Sequence, residues 1–366
     1  MKIVCTQENI NYGLNTVAHL ASRNANLPIL NNVLIVAENG TISLSTTNLE
    51  IGIKTQIRGK IEIEGRYTVP ARLLSEFIAL LPKENITLEL TEDGLSVAGK
   101  NSDTLIKGAS AEDYPLIPEV GGDATISLAA KELAAVLSQT NFAVSVDESR
   151  PEISGVYFSL SKGELRAAAT DSYRLAERVV KIDYEKNSKL IVPLKTLQEL
   201  SRVLATERSE QAQLYINDNQ IMFQYDVVKL ISRLIEGSYP DYEQIIPTQY
   251  KTEIVLKKDD FTNAIKAAAL FCKPGINDVK LTFLTEKKEL VITSTNTGLG
   301  ENITTVNAEI KGEDVEIVFN YRYLLDGLNS IQSDRVSVRL SGAGSPGMFL
   351  PEGKEGHTYI VMPIRQ

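Results

Sequence analysis

Apolar and polar positions along this chain follow a pattern that comes round three times. A β-branched run, a polar joint and then apolar residues at helical spacing occur in KIVCTQENINYGLNTVAHLA from Lys2, TISLAAKELAAVLSQTNFAV from Thr125 and EIVLKKDDFTNAIKAAALFC from Glu253. Alternation reads as a half-buried strand, and a spacing of three to four as an amphipathic helix. In the third copy Phe261, Ile265, Ala268 and Phe271 or Cys272 fall on one helical face. A second strand–helix unit follows in each copy: YTVPARLLSEFIALL from Tyr67, LIVPLKTLQELSRVL from Leu190 and EIVFNYRYLLDGLNSI from Glu316. Pro70 and Pro193 stand 123 residues apart, each where a first helical turn needs no amide donor, and Asn320 takes the same place 127 further on. Strands that break at a polar turn put Asn48, Asp171 and Asn296 at intervals of 123 and 125, and Pro115 and Pro240 lie 125 apart in AEDYPLIP and GSYPDYEQIIP. The spacings predict helices over 7–23, 71–81, 131–144, 194–205, 258–273 and 321–331.

Several landmarks sharing one period, close to a third of the 366 residues, indicate internal triplication. Each copy reads as about eight short strands and two helices, an α+β domain with helices packed on antiparallel sheet. The expected domains are 1–121, 122–249 and 250–366. Units of this size are not a solenoid; tandem copies of one fold tend to continue their sheets across each junction. An open arc of three leaves a free strand edge at each end. Head-to-tail pairing of two chains would cover both edges and close a six-domain ring.

Composition narrows the function. The formal charge is -9, which argues against simple attraction to phosphate. Two cysteines, Cys5 and Cys272, exclude a disulfide framework, and two histidines, His19 and His357, leave little for a triad or metal site. No stretch approaches 18 apolar residues, and MKIVCTQENINYG turns polar too early for a signal peptide. A reduced, cytoplasmic protein without catalytic activity is expected, needing no cofactor and no metal.

The chain resembles the beta subunit family of bacterial DNA polymerase III, the replicative sliding clamps. LPIL at 27–30, TVPAR at 68–72, ATDSYRLA at 169–176, YPDY at 239–242 and the final VMPIRQ carry the resemblance, in order and over the whole length. It implies a homodimeric ring enclosing duplex DNA, with helices lining the hole, that tethers a polymerase. The predicted helical segments hold nine Lys or Arg against seven Asp or Glu, so they are less acidic than the rest. Arg23, Arg72, Lys131, Lys195, Arg202 and Lys266 are the candidate phosphate contacts, and Arg150 matches a family DNA-contact position, here followed by Pro151 and Glu152.

The resemblance also implies a cleft between the second and third domains that receives a short linear motif from the replicative polymerase, the clamp loader and repair proteins. The matching positions are Ile153, Thr170, Ser172, Tyr173, Arg174, Leu175, Pro240, Ile245, Ile360 and Met362. The aliphatic members suit an apolar hole, while Arg174 and the Thr170 hydroxyl suit polar groups of a peptide. Ser172, Tyr173 and Gln244 depart at the rim from some relatives. The family's dimer contact maps onto Leu270 and Phe271, with Ile106 on a first-domain edge strand as their partner.

Two tempting motifs fail on context. Gly342, Gly344 and Gly347 in SGAGSPG have dinucleotide-fingerprint spacing, but Pro346 and the non-helical MFLPEG predict a hairpin loop. Asp171-Ser172-Tyr173 lacks a nearby histidine to act as base. The carboxylate pairs Asp259–Asp260 and Glu92–Asp93 read as helix N-terminal and turn charges. A clamp-like scaffold that does not encircle DNA, or an enzyme with an unrecognised centre, are the alternatives.

Overall fold

Six helices start where the punctuation predicts. In the computed structural model, which describes every residue except 22–26, 119, 122–124, 148, 207, 274 and 365–366, they are α1 (Gln7–Val17), α2 (Ala71–Leu80), α3 (Ala130–Thr140), α4 (Leu194–Leu204), α5 (Lys258–Ala269) and α6 (Tyr321–Ser330). The Thr6 hydroxyl accepts from the Asn9 amide to open α1, and the Asn320 side chain accepts from Arg322 to open α6. Asp259 and Asp260 sit in the first turn of α5, where carboxylates favour the positive end of the helix.

The first helix of each copy ends earlier than its apolar spacing suggests. After Val17 the amides of Leu20 and Ala21 bond to Val17 and Ala18, a tighter turn that keeps Leu20 and Ala21 buried without extending the helix. Phe271 and Cys272 do the same after α5, and residues 141–143 form a 3₁₀ turn after α3. Arg23 lies outside the described residues.

The described residues form two compact units: 1–131 with 195–234, and 132–194 with 235–366. The first holds a five-stranded antiparallel sheet in the order Lys60–Ile63, Lys2–Thr6, Asn85–Thr91, Gly94–Ala98, Asp103–Ile106. It also holds an eight-stranded sheet, in which Thr125–Ala129, Gln211–Ile216, Gln220–Tyr225 and Val228–Arg233 continue into Ile51–Ile57, Thr41–Thr47, Asn32–Glu38 and Gly65–Pro70. The joining ladder runs from Lys229 opposite Lys54 to Ser232 opposite Ile51. Alternation assigns its faces. Leu44, Thr46, Ile53 and Ile57 share the face that takes α1: a Cβ on Gly13 would strike Leu44 and Ile57, and the Thr46 hydroxyl donates to the Val17 carbonyl at 2.6 Å. Ser43, Ser45, Gly52 and Lys54 face the other way.

The second unit repeats the scheme. Its nine-stranded sheet runs Ser188–Pro193, Gly155–Ser161, Glu164–Thr170, Arg174–Lys181, His357–Val361, Gly347–Pro351, Arg335–Leu340, Thr252–Lys257, Glu309–Lys311. A four-stranded sheet holds Gly300–Asn307, Glu289–Asn296, Asp278–Leu284 and Val315–Asn320. Helix α6 lies on the longer sheet through Gly327, where any Cβ would collide with the Tyr359 ring. The Tyr359 hydroxyl donates to the Tyr323 carbonyl. Phe261, Phe283, Phe319 and Phe349 are fully buried in this unit's core, each worth about 1.5–3 kcal/mol relative to exposure. The SGAGSPG segment links two antiparallel neighbours, Arg335–Leu340 and Gly347–Pro351, so the predicted hairpin loop is found.

One sequence expectation about the edges needs correcting. Asp103–Ile106 is an edge strand, but Ile106 pairs with Leu95 and is buried in its own unit. Strand alternation turns Leu105 outward instead, 48% exposed. Leu270 is 73% exposed and Phe271 is half-buried.

Candidate functional site

The ladder of strand 174–181 against strand 357–361 carries the middle copy's sheet into the third copy's. Leu175 stands opposite Ile360, Thr170 opposite Leu175, and Met348 opposite Ile360. On the face away from α6, Ala168, Leu175, Met348 and Ile360 join Tyr242 in one apolar cluster, flanked by Tyr157, Tyr239, Ile246 and Leu350. Segment 239–246 supplies the wall. Tyr239 stacks on Tyr157 at 4.9 Å between ring centres, and Tyr242 meets both edge-on.

A buried carboxylate fixes that wall. Glu177, on the same face as Leu175, accepts the Tyr242 hydroxyl at 2.6 Å and lies 3.8 Å from the Arg166 guanidinium. Burial first, then the neighbouring Glu177 charge, pushes the Tyr242 hydroxyl pKa well above its ordinary value. The phenol therefore stays a neutral donor, which is what an acceptor-only carboxylate needs.

The turn 170–174 forms the rim, and its shape follows from its polar residues. The Asp171 carboxylate accepts the amides of Tyr173 and Arg174, both at 3.0 Å, and the Thr170 hydroxyl accepts from Ser172 while donating to the Arg174 carbonyl. Ser172 consequently sits at φ +77, a left-handed conformation a side chain adopts at a cost. The same turn occurs in the first copy, where Asn48 accepts from Glu50 and Ile51 and Leu49 has φ +78. In the third copy Asn296 accepts from Gly298. The three polar landmarks are thus turn caps.

Arg174 is held by the protein's own groups. Its Nε donates to Asp171 at 2.9 Å, one terminal nitrogen to Asp326 and the other to the Phe142 carbonyl at 2.8 Å, and it lies 4.6 Å over the Tyr323 ring. The Thr170 hydroxyl is likewise engaged in the turn. Open at the surface are Ser172, Ile245, Tyr173, 62% exposed and stacked near Tyr323, and Met362, 36% exposed, whose amide donates to the Tyr173 carbonyl. Pro240 is half-buried and Ile245 half-exposed on the 239–246 wall, while Ile153 is buried at the end of the 3₁₀ turn 151–153, its carbonyl accepting from Ser145. Tyr157, Glu177, Tyr242 and Met348 were not anticipated as members. The two tyrosines of YPDY and the alternation of the strand at 155–161 were the available signals.

Beside the ladder, His357 is buried with Nδ1 donating to the Glu177 carbonyl and Nε2 within 3.1 Å of the Ser330 hydroxyl. Desolvation by burial, aided by nearby Arg178, lowers its pKa to about 4. Above pH 6.5 the ring is neutral whether the chain is folded or unfolded. Between 6.5 and about 4 only the unfolded chain takes up the proton, so stability should fall as pH drops through that window, by roughly 3 kcal/mol in all. Urea midpoints at pH 7.5 and 4.5 check this: His357→Gln should flatten the difference, and an equal drop in both proteins would refute it.

The candidate phosphate contacts divide. Arg72 on α2, Lys131 on α3, Lys195 on α4 and Lys266 on α5 are exposed. Arg202 is not free: its terminal nitrogens donate to the carbonyls of Asn15 and Thr16 at the C-terminal end of α1, and its Nε to Glu199. It caps a helix, where a cation meets the negative end of the dipole. Arg150 donates to Glu152 and to the Ser172 hydroxyl. No group of three or more His, Cys, Asp or Glu that could hold a metal occurs among the described residues, and no helix among them is long and apolar enough to cross a membrane.

Three family models match the chain in order: the N-terminal domain of the DNA polymerase III beta subunit over residues 1–118, its central domain over 127–241 and its C-terminal domain over 243–365. The chain is 30% identical to the beta sliding clamp of Synechocystis, over 100% of this chain and 99% of that one. It is 33% identical to that of Staphylococcus epidermidis, over 96% of each. Its fold matches the crystal structure of the Bacillus subtilis DNA polymerase sliding clamp with a TM-score of 0.96 at 28% identity, covering 100% of this chain and 99% of the other. A Pseudomonas aeruginosa sliding clamp bound to griselimycin matches equally well, with a TM-score of 0.96 at 28% identity over the whole of both chains.

Proposed function

Because this chain belongs to the DNA polymerase III beta subunit family, the beta sliding clamps, we propose that it serves as a DNA polymerase processivity factor. Two copies close head to tail into a six-domain ring around duplex DNA, each chain contributing domains 1–121, 122–249 and 250–366. The ring performs no chemistry. It raises the effective concentration of the replicative polymerase at the primer end by tethering it. Helices that face phosphates read no base edges, so the ring slides. With Arg202 tied to the end of α1, Arg72, Lys131, Lys195, Lys266 and the exposed Arg150 are the candidate phosphate contacts, a weak and salt-sensitive set. Retention therefore comes from enclosure. A separate ATP-driven loader opens the ring, in the cytoplasm.

The polymerase, the loader and repair proteins dock by a short linear motif on the Tyr173–Met362 rim over the Leu175–Ile360 floor. The observation that supports this reading most is the end-to-end match of all three family domains in sequence order. Loading the protein with its cognate loader onto a nicked circular plasmid, then linearising the plasmid before gel filtration, tests it. About tenfold less protein should remain with the linear DNA. Protein held equally by linear DNA would mean binding by contact. Protein absent from the circular DNA, yet still binding a polymerase tail peptide, would mean a scaffold that does not encircle.

A further inference from the structure

The first unit contains a second version of the docking frame, with its charge reversed. Positions 123 residues before Ala168, Leu175 and Glu177 are Ser45, Gly52 and Lys54, and Met222 precedes Met348 by 126. The pairings correspond: Met222 stands opposite Ile231, and Ile231 opposite Gly52, as Met348 and Leu175 each stand opposite Ile360. Tyr242, which lies over the later frame, is replaced by Ile117, 125 residues earlier. Ile117 and Val120 pack on Met222 and Ile231, and a Cβ on Gly52 would strike Ile117, so glycine is what lets that segment settle so low. What remains open is a concavity of about 300 Å³ on the sheet face away from α1.

Its polar lining differs from that of the later frame. Glu177 there is satisfied by Tyr242 and Arg166; here Lys54 stands directly opposite Lys229, with Arg66 also on the lining and Glu38 as the acid among the described lining residues. Like charges directly opposite across strands destabilise a sheet. Lys54, Lys229 and Arg66 make no ion pair among the described residues, and the buried Ser43 and Ser45 hydroxyls, on the same lining, make no side-chain hydrogen bond there. An apolar floor ringed by unspent cations and hydroxyls complements an acidic segment carrying an aliphatic side chain.

We propose that this concavity is a second docking site, for a short protein segment that places an aliphatic side chain on Met222 and Ile231 and carboxylates on Lys54, Lys229 and Arg66. It lies on the sheet face away from α1, and it selects acidic partners that the Tyr173–Met362 rim does not.

The probe is a fluorescein-labelled octapeptide with a central Ile-Ile pair flanked by Asp and Glu, titrated by polarisation against the full-length protein at low salt. Saturable binding that weakens with added salt is expected. Lys54→Glu with Lys229→Glu should lower affinity about tenfold or more while leaving a polymerase tail peptide unaffected at the other rim. The milder Lys229→Gln, which removes one charge without reversing it, should give a smaller loss. Met362→Ala should leave the acidic probe unchanged. Probe binding insensitive to both lysine variants, competition by the polymerase tail, or displacement by a single-stranded oligonucleotide would each overturn the assignment.

Discussion

Replacing Leu270 and Ile303 with Asp should convert a particle of twice the 40.3 kDa chain mass into folded monomers at micromolar concentration. Gly300–Asn307 is an edge of its sheet, eight residues long, with one side of its backbone ladder unpaired. Asp103–Ile106 is the corresponding edge of the five-stranded sheet. Long exposed edges of this kind invite pairing with another chain. Under the proposed ring, the two edges meet between chains, and the outward Leu105, Ile303 and Leu270 close over the contact. Ile303 and Leu270 are 63% and 73% exposed in the single chain, so the substitutions cost the folded monomer little. In the dimer they bury unpaired charge, which should weaken association by several kcal/mol, about a thousandfold. Sedimentation velocity gives the mass and far-ultraviolet circular dichroism the fold. A dimer that persists at the same concentration would place the interface elsewhere. Ile106→Asp would not serve, because that side chain is core.

Arg174→Ala should be the most damaging single change at the docking rim, because Arg174 holds that rim together. The guanidinium joins Asp171, Asp326 and the Phe142 carbonyl, with its side chain only 12% exposed. Removing it leaves two carboxylates facing each other and a carbonyl unsatisfied. Breaking a buried pair costs about 3–5 kcal/mol, and because Asp326 can rehydrate, about 2–4 kcal/mol is expected. Urea unfolding should show the loss, and a polymerase tail peptide should bind more weakly because the turn bearing Tyr173 is no longer held. Arg174→Lys should restore little, since an ammonium cannot span three acceptors in a plane. Met362→Ala provides the contrast: a half-exposed group whose loss should weaken the peptide and leave stability nearly unchanged. If Arg174→Ala matched wild type in both measurements, the rim would not depend on this cation. Leu175 is a poorer choice for that comparison than its place in the cleft suggests, because at 2% exposure it reports on the sheet as well as the ligand.

Periodicity carried the architecture well. Threefold repetition, two helices per copy and the continuation of sheets across junctions were all readable, because they depend on alternation and on turn residues close in sequence. Asn48, Asp171 and Asn296 announced themselves by spacing since each caps a turn two or three residues away. Side-chain destinations were legible only where partners are local. Arg202 and Arg174 look like ordinary helix-face and rim cations, but their acceptors lie as much as 187 and 152 residues away. Ile106 was misjudged for a different reason: an edge strand has an inner and an outer face, and a one-residue difference in parity selects between them. Glu177 escaped notice because a lone carboxylate in a strand normally faces water, and its partner Tyr242 sits 65 residues on.

Among the described residues, the middle copy has no sheet wholly its own. Its strands at 125–129 and 211–233 build onto the first copy, and those at 155–193 onto the third. Duplication in the sequence and modularity in the fold are therefore out of phase. Excising the middle copy at its boundaries would tear two hydrogen-bonded ladders and expose four raw strand edges, so that copy is not a portable part. Inserting or exchanging a whole repeat, the simplest genetic event that could lengthen such a chain, would demand matching ladders on both sides at once, which is a physical reason for the number of copies to stay fixed once established.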